Sequence, residues 1–149
     1  MSRKQVIAKL KELNLPMDSY VAYGSSPMAI AEIREVNDVD ILAKQEIYDN
    51  LKAQGWEVIN KGINDAPVSR GVFEVHASWA FSSYNPSLEE LKSRATVVQG
   101  ISFASLHDVL EWKRASVEKG FNPEKNLADI ALIERYFIRE TELRKIDKR

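Results

Sequence analysis

The chain has 149 residues, no cysteine and a formal net charge of −1. That length suits one domain with a core large enough to need no staples, and the lack of cysteine excludes disulfides and thiolate metal sites. Near-balanced charge argues against a protein that coats duplex DNA, which needs a basic surface.

Ser2 to Asn14 reads as a helix. Ser2 and Gln5 have capping-box spacing, Val6, Ile7, Leu10 and Leu13 share one face, and Pro16 ends the run. This amphipathic start lacks the apolar core of a signal peptide, and no apolar run is long enough to cross a membrane, so a cytoplasmic protein is expected. Tyr20–Tyr23 reads as a short strand ending at Gly24. Ser25 or Ser26 is placed to cap a short helix with Pro27 in its first turn. Asp38–Ala43 alternates as a strand, and Gln45–Gln54 reads as a helix stopped by Gly55.

Trp56–Ile59 reads as a strand, and Asn60–Arg70, with its Gly, Asn, Asp and Pro, as a loop. Gly71–Trp79 is the most strand-like run. Ser87 and Glu90 open a helix to about Arg94, and Thr96–Ala104 reads as a hairpin around Gln99-Gly100. Ser105 caps a helix ending at Gly120, and Asn122-Pro123 opens the last one. Its tail, RETELRKIDKR, mixes both signs and reads as a solvated helix end. The order predicts an α+β, mixed α/β fold: a small mixed sheet, helices packed on one face and a C-terminal helical pair. One domain over 1–149 is expected, with a core at about 18–104 and the C-terminal helices at about 105–140.

The chemistry concentrates around Gly24 and the D-x-D of the second strand. Alternate strand residues share a face, so Asp38 and Asp40 lie together and repel unless solvated or bridged by a cation. Mg²⁺ is a suitable bridge, because it takes oxygen ligands and is held by one or two carboxylates plus substrate phosphates. Gly24 allows a tight turn, Ser25 adds a hydroxyl, and a helix start leaves backbone N–H groups for a phosphate. Glu74, on the same strand face as His76, is the candidate third acid. Each feature also has a plain structural reading: D-x-D as a solvent-facing edge, Gly-Ser as a turn, His76 as a hydrogen-bonding strand residue. Trp79 and Trp112 read as core, and Lys113-Arg114 as a solvated helix edge.

An apolar-Gly-Ser segment, twelve residues and then Asp38-Val39-Asp40 resembles the signature of the DNA polymerase β-like nucleotidyltransferase superfamily. The tail "SLHDVLEWKRA…PEKNLADIALIERY" is similar to that of small bacterial members related to abortive-infection type II toxins, with Trp112-Lys113 and Lys125-Asn126-Leu127-Ala128-Asp129 at the matching places. Arg34 fits their Ile-Arg-x-x-x-Asp pattern. The chain departs from that pattern with Asn126 where Asp is usual, Glu74 where Asp is commoner, and Ser26-Pro27 after the turn.

The resemblance implies Gly24, Ser25, Arg34, Lys113 and Lys125 at the nucleotide. It implies Asp38, Asp40 and Glu74 as catalytic metal ligands, with Mg²⁺ or Mn²⁺ as cofactor. The implied activity is two-metal transfer of a nucleoside monophosphate from a triphosphate to a hydroxyl of a protein, RNA or small-molecule acceptor. The alternative is an inactive nucleotide- or protein-binding member, such as one component of a toxin–antitoxin pair with a partner protein.

Overall fold

The computed structural model describes residues 1–62, 65–78 and 83–147. In chain order the elements are α1 (Arg3–Leu13), a 3₁₀ turn (Met17–Ser19), β1 (Tyr20–Tyr23), α2 (Ser26–Ile30), β2 (Val39–Ala43), α3 (Gln45–Ala53) and β3 (Glu57–Val58). There follow β4 (Val68–Arg70), β5 (Phe73–His76), α4 (Leu88–Arg94), β6 (Thr96–Val98), β7 (Ile101–Phe103), α5 (Leu106–Glu118) and α6 (Pro123–Asp147).

Local chemistry accounts for most boundaries. Both capping boxes form in both directions, Ser2 with Gln5 and Ser87 with Glu90, and each satisfies two backbone donors that a helix start leaves open. Gln99 and Gly100 both have positive φ (51° and 83°), the two-residue turn whose twist matches a hairpin. Several boundaries differ from the sequence reading: the strand expected over Trp56–Ile59 covers Glu57–Val58, and the last helix runs on to Asp147. Val68–Arg70, expected as loop, is a strand, because Val68 is fully buried and pairs with Val75 across a turn at Gly71-Val72. The strand expected over Gly71–Trp79 covers Phe73–His76, and Trp79 lies outside the described residues. Asp38 sits just before β2, whose first residue, Val39, donates its N–H to the Val72 carbonyl at 2.8 Å.

The described strands form one mixed sheet in the order β3-β4-β5-β2-β1-β7-β6. β1–β7 and β2–β5 are parallel, and the other neighbours are antiparallel. Strand parity divides the core in two. Tyr20, Ala22, Val39, Ile41 and Val75 face α1 and α3, meeting Val6, Leu10, Ile47 and Leu51. Val21, Tyr23 and Leu42 face the other way, against Leu91, Val109, Leu110 and Ile133 of α4, α5 and α6. The expected C-terminal pair thus covers the second face of the sheet. Full burial of each of these aliphatic side chains contributes roughly 1.5–3 kcal/mol. Asp108 ties α4 to α5 by accepting two bonds from Arg94 at 2.9 Å, one from Ser105 Oγ at 2.9 Å and one from the Tyr84 hydroxyl.

Candidate functional site

Register builds the acidic half of the site. Antiparallel pairing sets Asp40 beside Tyr23, and parallel pairing sets Asp40 beside Glu74 and Leu42 beside His76. Asp40, Glu74 and His76 therefore share the sheet face that the C-terminal helices cover, and each offers one ligand atom within 4.8 Å of the others. His76 Nδ1 lies 3.2 Å from Asp65 Oδ1, while its Nε2 is 3.9 Å from Glu74 Oε2. Among the described residues Asp65 Oδ1 accepts no hydrogen bond, so it stands beside the imidazole as a nearby negative charge. Lys61 Nζ lies 2.7 Å from Glu74.

The electrostatics fit a cation. Burial pushes the Asp40 carboxyl up from 3.8 to about 7, with Glu74 adding to the rise and His76 and Lys61 opposing it. Burial, reinforced by the charges of Asp40, Asp65 and Glu74, also holds the Tyr23 hydroxyl well above its ordinary range, so it stays a neutral phenol. Two oxygen donors, an imidazole nitrogen and this excess of negative charge fit one divalent ion.

Gly24 is required by the same acid. Its φ is +68°, and a Cβ added there would lie 2.3 Å from Asp40 Oδ2. A side chain there would force the Asp40 carboxylate to shift, so the glycine both turns the chain and leaves room for that carboxylate where it lies.

Ser25 precedes α2 but makes no side-chain cap. Its Oγ instead accepts from Lys113 Nζ at 3.0 Å and from Arg34 Nη2 at 3.2 Å. Arg34 also grips Asp129 through Nε and Nη2, both at 2.8 Å, and Lys113 Nζ reaches Asp129 Oδ2 at 2.9 Å. Burial pulls the Lys113 ammonium below its usual range against the pull of Asp129. Burial pushes Asp129 up, yet its bonds to Arg34 and Lys113 outweigh that and hold the carboxyl below its usual value.

Lys113 is 1% exposed, which corrects its reading as part of a solvated helix edge; Arg114 remains at the surface, between Glu111 and Glu134. The cause is the helical pair itself: α6 covers that edge of α5 and brings Asp129 to meet the lysine.

Both halves open into one cavity of about 350 Å³. Ser25, Arg34, Asp38, Asp40, Glu74, Lys113 and Lys125 all line it, with Gly24 beneath Asp40. Asp38 is exposed and lies outside the tight Asp40–Glu74–His76 group. Trp112 lines the cavity and packs edge-on against Tyr23. Lys61, Asp65 and His76 are residues that sequence reasoning did not assign to the site. The first two sit in an irregular segment with no periodicity to place them, and His76 was legible only as a neighbour of Glu74 on its strand face.

A solved structure is similar to this chain. It is "Crystal Structure of ANT(2")-Ia in complex with adenylyl-2"-tobramycin", with 14% sequence identity and a TM-score of 0.48, over 93% of this chain and 89% of that one. No protein-family model matches the sequence, and neither does any curated protein. Among the described residues no helix is long and apolar enough to cross a membrane.

Proposed function

We propose that the chain is a Mg²⁺- or Mn²⁺-dependent nucleotidyltransferase that moves a nucleoside monophosphate from a triphosphate to an acceptor hydroxyl. One observation carries this reading: a single cavity has carboxylates on its sheet side and Arg34, Lys113 and Lys125 on its other side. That is the charge distribution needed by a metal–triphosphate complex, for which positioning and charge neutralisation supply most of the catalysis.

Asp40, Glu74 and His76 are the residues that would hold one divalent ion, and Asp38, on the exposed lining of the cavity, would help hold a second. When bound there, such an ion neutralises phosphate charge and lowers the pKa of an attacking hydroxyl. Arg34, Lys113 and Lys125 donate N–H groups to phosphate oxygens, and Asp129 keeps the first two aimed at the cavity. The acceptor oxygen forms a bond to the α-phosphorus and the bond to the bridging β-oxygen breaks. Pyrophosphate leaves, and the hydroxyl proton passes to Glu74. The finer likeness to toxin-related members rests on the sequence pattern of α5 and α6.

A second reading, a nucleotide-binding member without catalysis, is favoured by Lys61. Its ammonium already neutralises Glu74 at 2.7 Å, where a metal would otherwise do so. ATP labelled at the γ-phosphate separates the two. With Mg²⁺ and a pool of acceptors, transfer releases the label as pyrophosphate, and Asp40→Asn abolishes that release. Label released as orthophosphate would overturn nucleotidyl transfer. Tight metal-dependent binding with no release from any of the four common triphosphates would favour the second reading.

A further inference from the structure

The acids and cations of the cavity account for a metal and phosphates but leave the base of a nucleotide without a contact. The α5–α6 turn carries a residue of the required kind. Phe121 lines the same cavity and is 46% exposed. Among the described residues, the other large apolar side chains left this exposed are all non-aromatic.

The Phe121 backbone is clamped from both sides. Its N–H donates to the Ser116 carbonyl at 2.9 Å, and its carbonyl accepts from Asn126 Nδ2 at 2.8 Å. Asn126 is itself 7% exposed, so a buried amide is dedicated to fixing this turn. The turn is sharp: Gly120 and Asn122, on either side, have φ of +76° and +40°. A fixed backbone presenting a large exposed aromatic ring suits stacking, because little conformational freedom is lost when a flat ligand lies on it. Trp112, also on the cavity wall, is less exposed, with its ring edge-on to Tyr23 at 6.1 Å and Lys113 Nζ 5.1 Å from its centroid.

We propose that Phe121 is the nucleobase platform of the cavity, stacking the base of a nucleoside triphosphate whose phosphates lie against Lys113 and Lys125. The inference rests on the nucleotide reading above. Stacking on an aromatic face is tolerant of base identity, so all four triphosphates are expected to bind with affinities within a few-fold of one another.

The test is calorimetric titration of the whole chain with Mg²⁺–ATP and, separately, with Mg²⁺–tripolyphosphate, which has the phosphates but no base. Phe121→Ala is expected to weaken ATP by about 5- to 150-fold, the range of base–aromatic stacking, and to leave tripolyphosphate unchanged. Phe121→Trp is expected to restore ATP binding, and Phe121→Leu, which keeps apolar bulk without a π-face, is not. Equal ATP affinity in wild type and Phe121→Ala would overturn the platform. Wild-type affinity for ATP no better than for tripolyphosphate would also overturn it, and leave the phosphate site standing. Restoration by Phe121→Leu would reduce the contact to simple apolar burial and refute stacking. Binding of neither ligand by wild type would overturn the nucleotide reading and this inference together. Because Phe121 is exposed, the substitutions are expected to leave the melting temperature within about 2 °C of wild type, in keeping with the small effect of surface changes.

Discussion

Asp40→Asn is expected to stabilise the metal-free protein at pH 8 and to have no such effect at pH 3.5. Burial, with Glu74 beside it, raises the Asp40 carboxyl from 3.8 to about 7. Between those values the folded chain holds a proton that the unfolded chain has released. Stability therefore falls as pH rises through this window and is lowest above it. A shift of that size corresponds to roughly 4 kcal/mol at about 1.4 kcal/mol per pH unit. Asp40 is partly open to the cavity, and solvent screening cuts the figure to about 2 kcal/mol. Asparagine has nearly the same shape and its amide can donate to Glu74, as the protonated acid does, so it removes the charge without opening a void. For a chain of this length about 2 kcal/mol is a rise of roughly 4–8 °C in Tm. Thermal melts of both proteins in EDTA, from pH 3.5 to pH 8, give the answer. A mutant less stable than wild type at pH 8 would rule out a destabilising charge at Asp40. It would show that His76 and Lys61 hold Asp40 as a structural ion pair, and that the acids do not await a cation.

Two further changes probe the support of the site. Gly24→Ala is expected to cost about 1–3 kcal/mol in urea unfolding and to abolish metal-dependent nucleotide binding, because the new methyl would strike Asp40 and the backbone is left-handed there. Wild-type binding in Gly24→Ala would mean that Asp40 moves freely and is not held for a ligand. Asp129→Asn leaves Lys113 buried beside Arg34 without its counter-charge and is expected to cost about 3 kcal/mol at pH 7. The Asp129 carboxyl is held below its ordinary value, so the stability it contributes is present above about pH 4 and is lost as pH falls through the folded value. The deficit of Asp129→Asn should therefore shrink in acid; a deficit unchanged down to pH 2 would contradict that assignment.

What could be read from the chain was local or periodic. Ser2 with Gln5, Ser87 with Glu90 and Gln99-Gly100 each act within a few residues, and each forms as its spacing dictates. Alternation likewise put Glu74 and His76 on one face of their strand, but it also grouped Asp38 with Asp40, and Asp38 lies exposed just before β2. Contacts between distant segments were not. Nothing near Lys113 signals its burial, which comes from Asp129 on another helix and Ser25 at the end of a strand. Val68–Arg70 reads as loop because strand propensity over three residues is weak, and long-range pairing with β5 decides its state. Ser25 has the composition of a helix cap, and two cations claim its hydroxyl instead.

A cavity that joins acids to cations in order to hold a metal–triphosphate complex should bind nucleotide only with the metal. Calorimetric titration of wild type with ATP, in Mg²⁺ and again in EDTA, with Glu74→Gln alongside, tests this most directly. One nucleotide is expected to bind per chain in Mg²⁺, weakened at least tenfold both in EDTA and in Glu74→Gln. Equal affinity with and without the metal, or no binding of ATP, GTP, CTP or UTP at millimolar concentration in Mg²⁺, would contradict it.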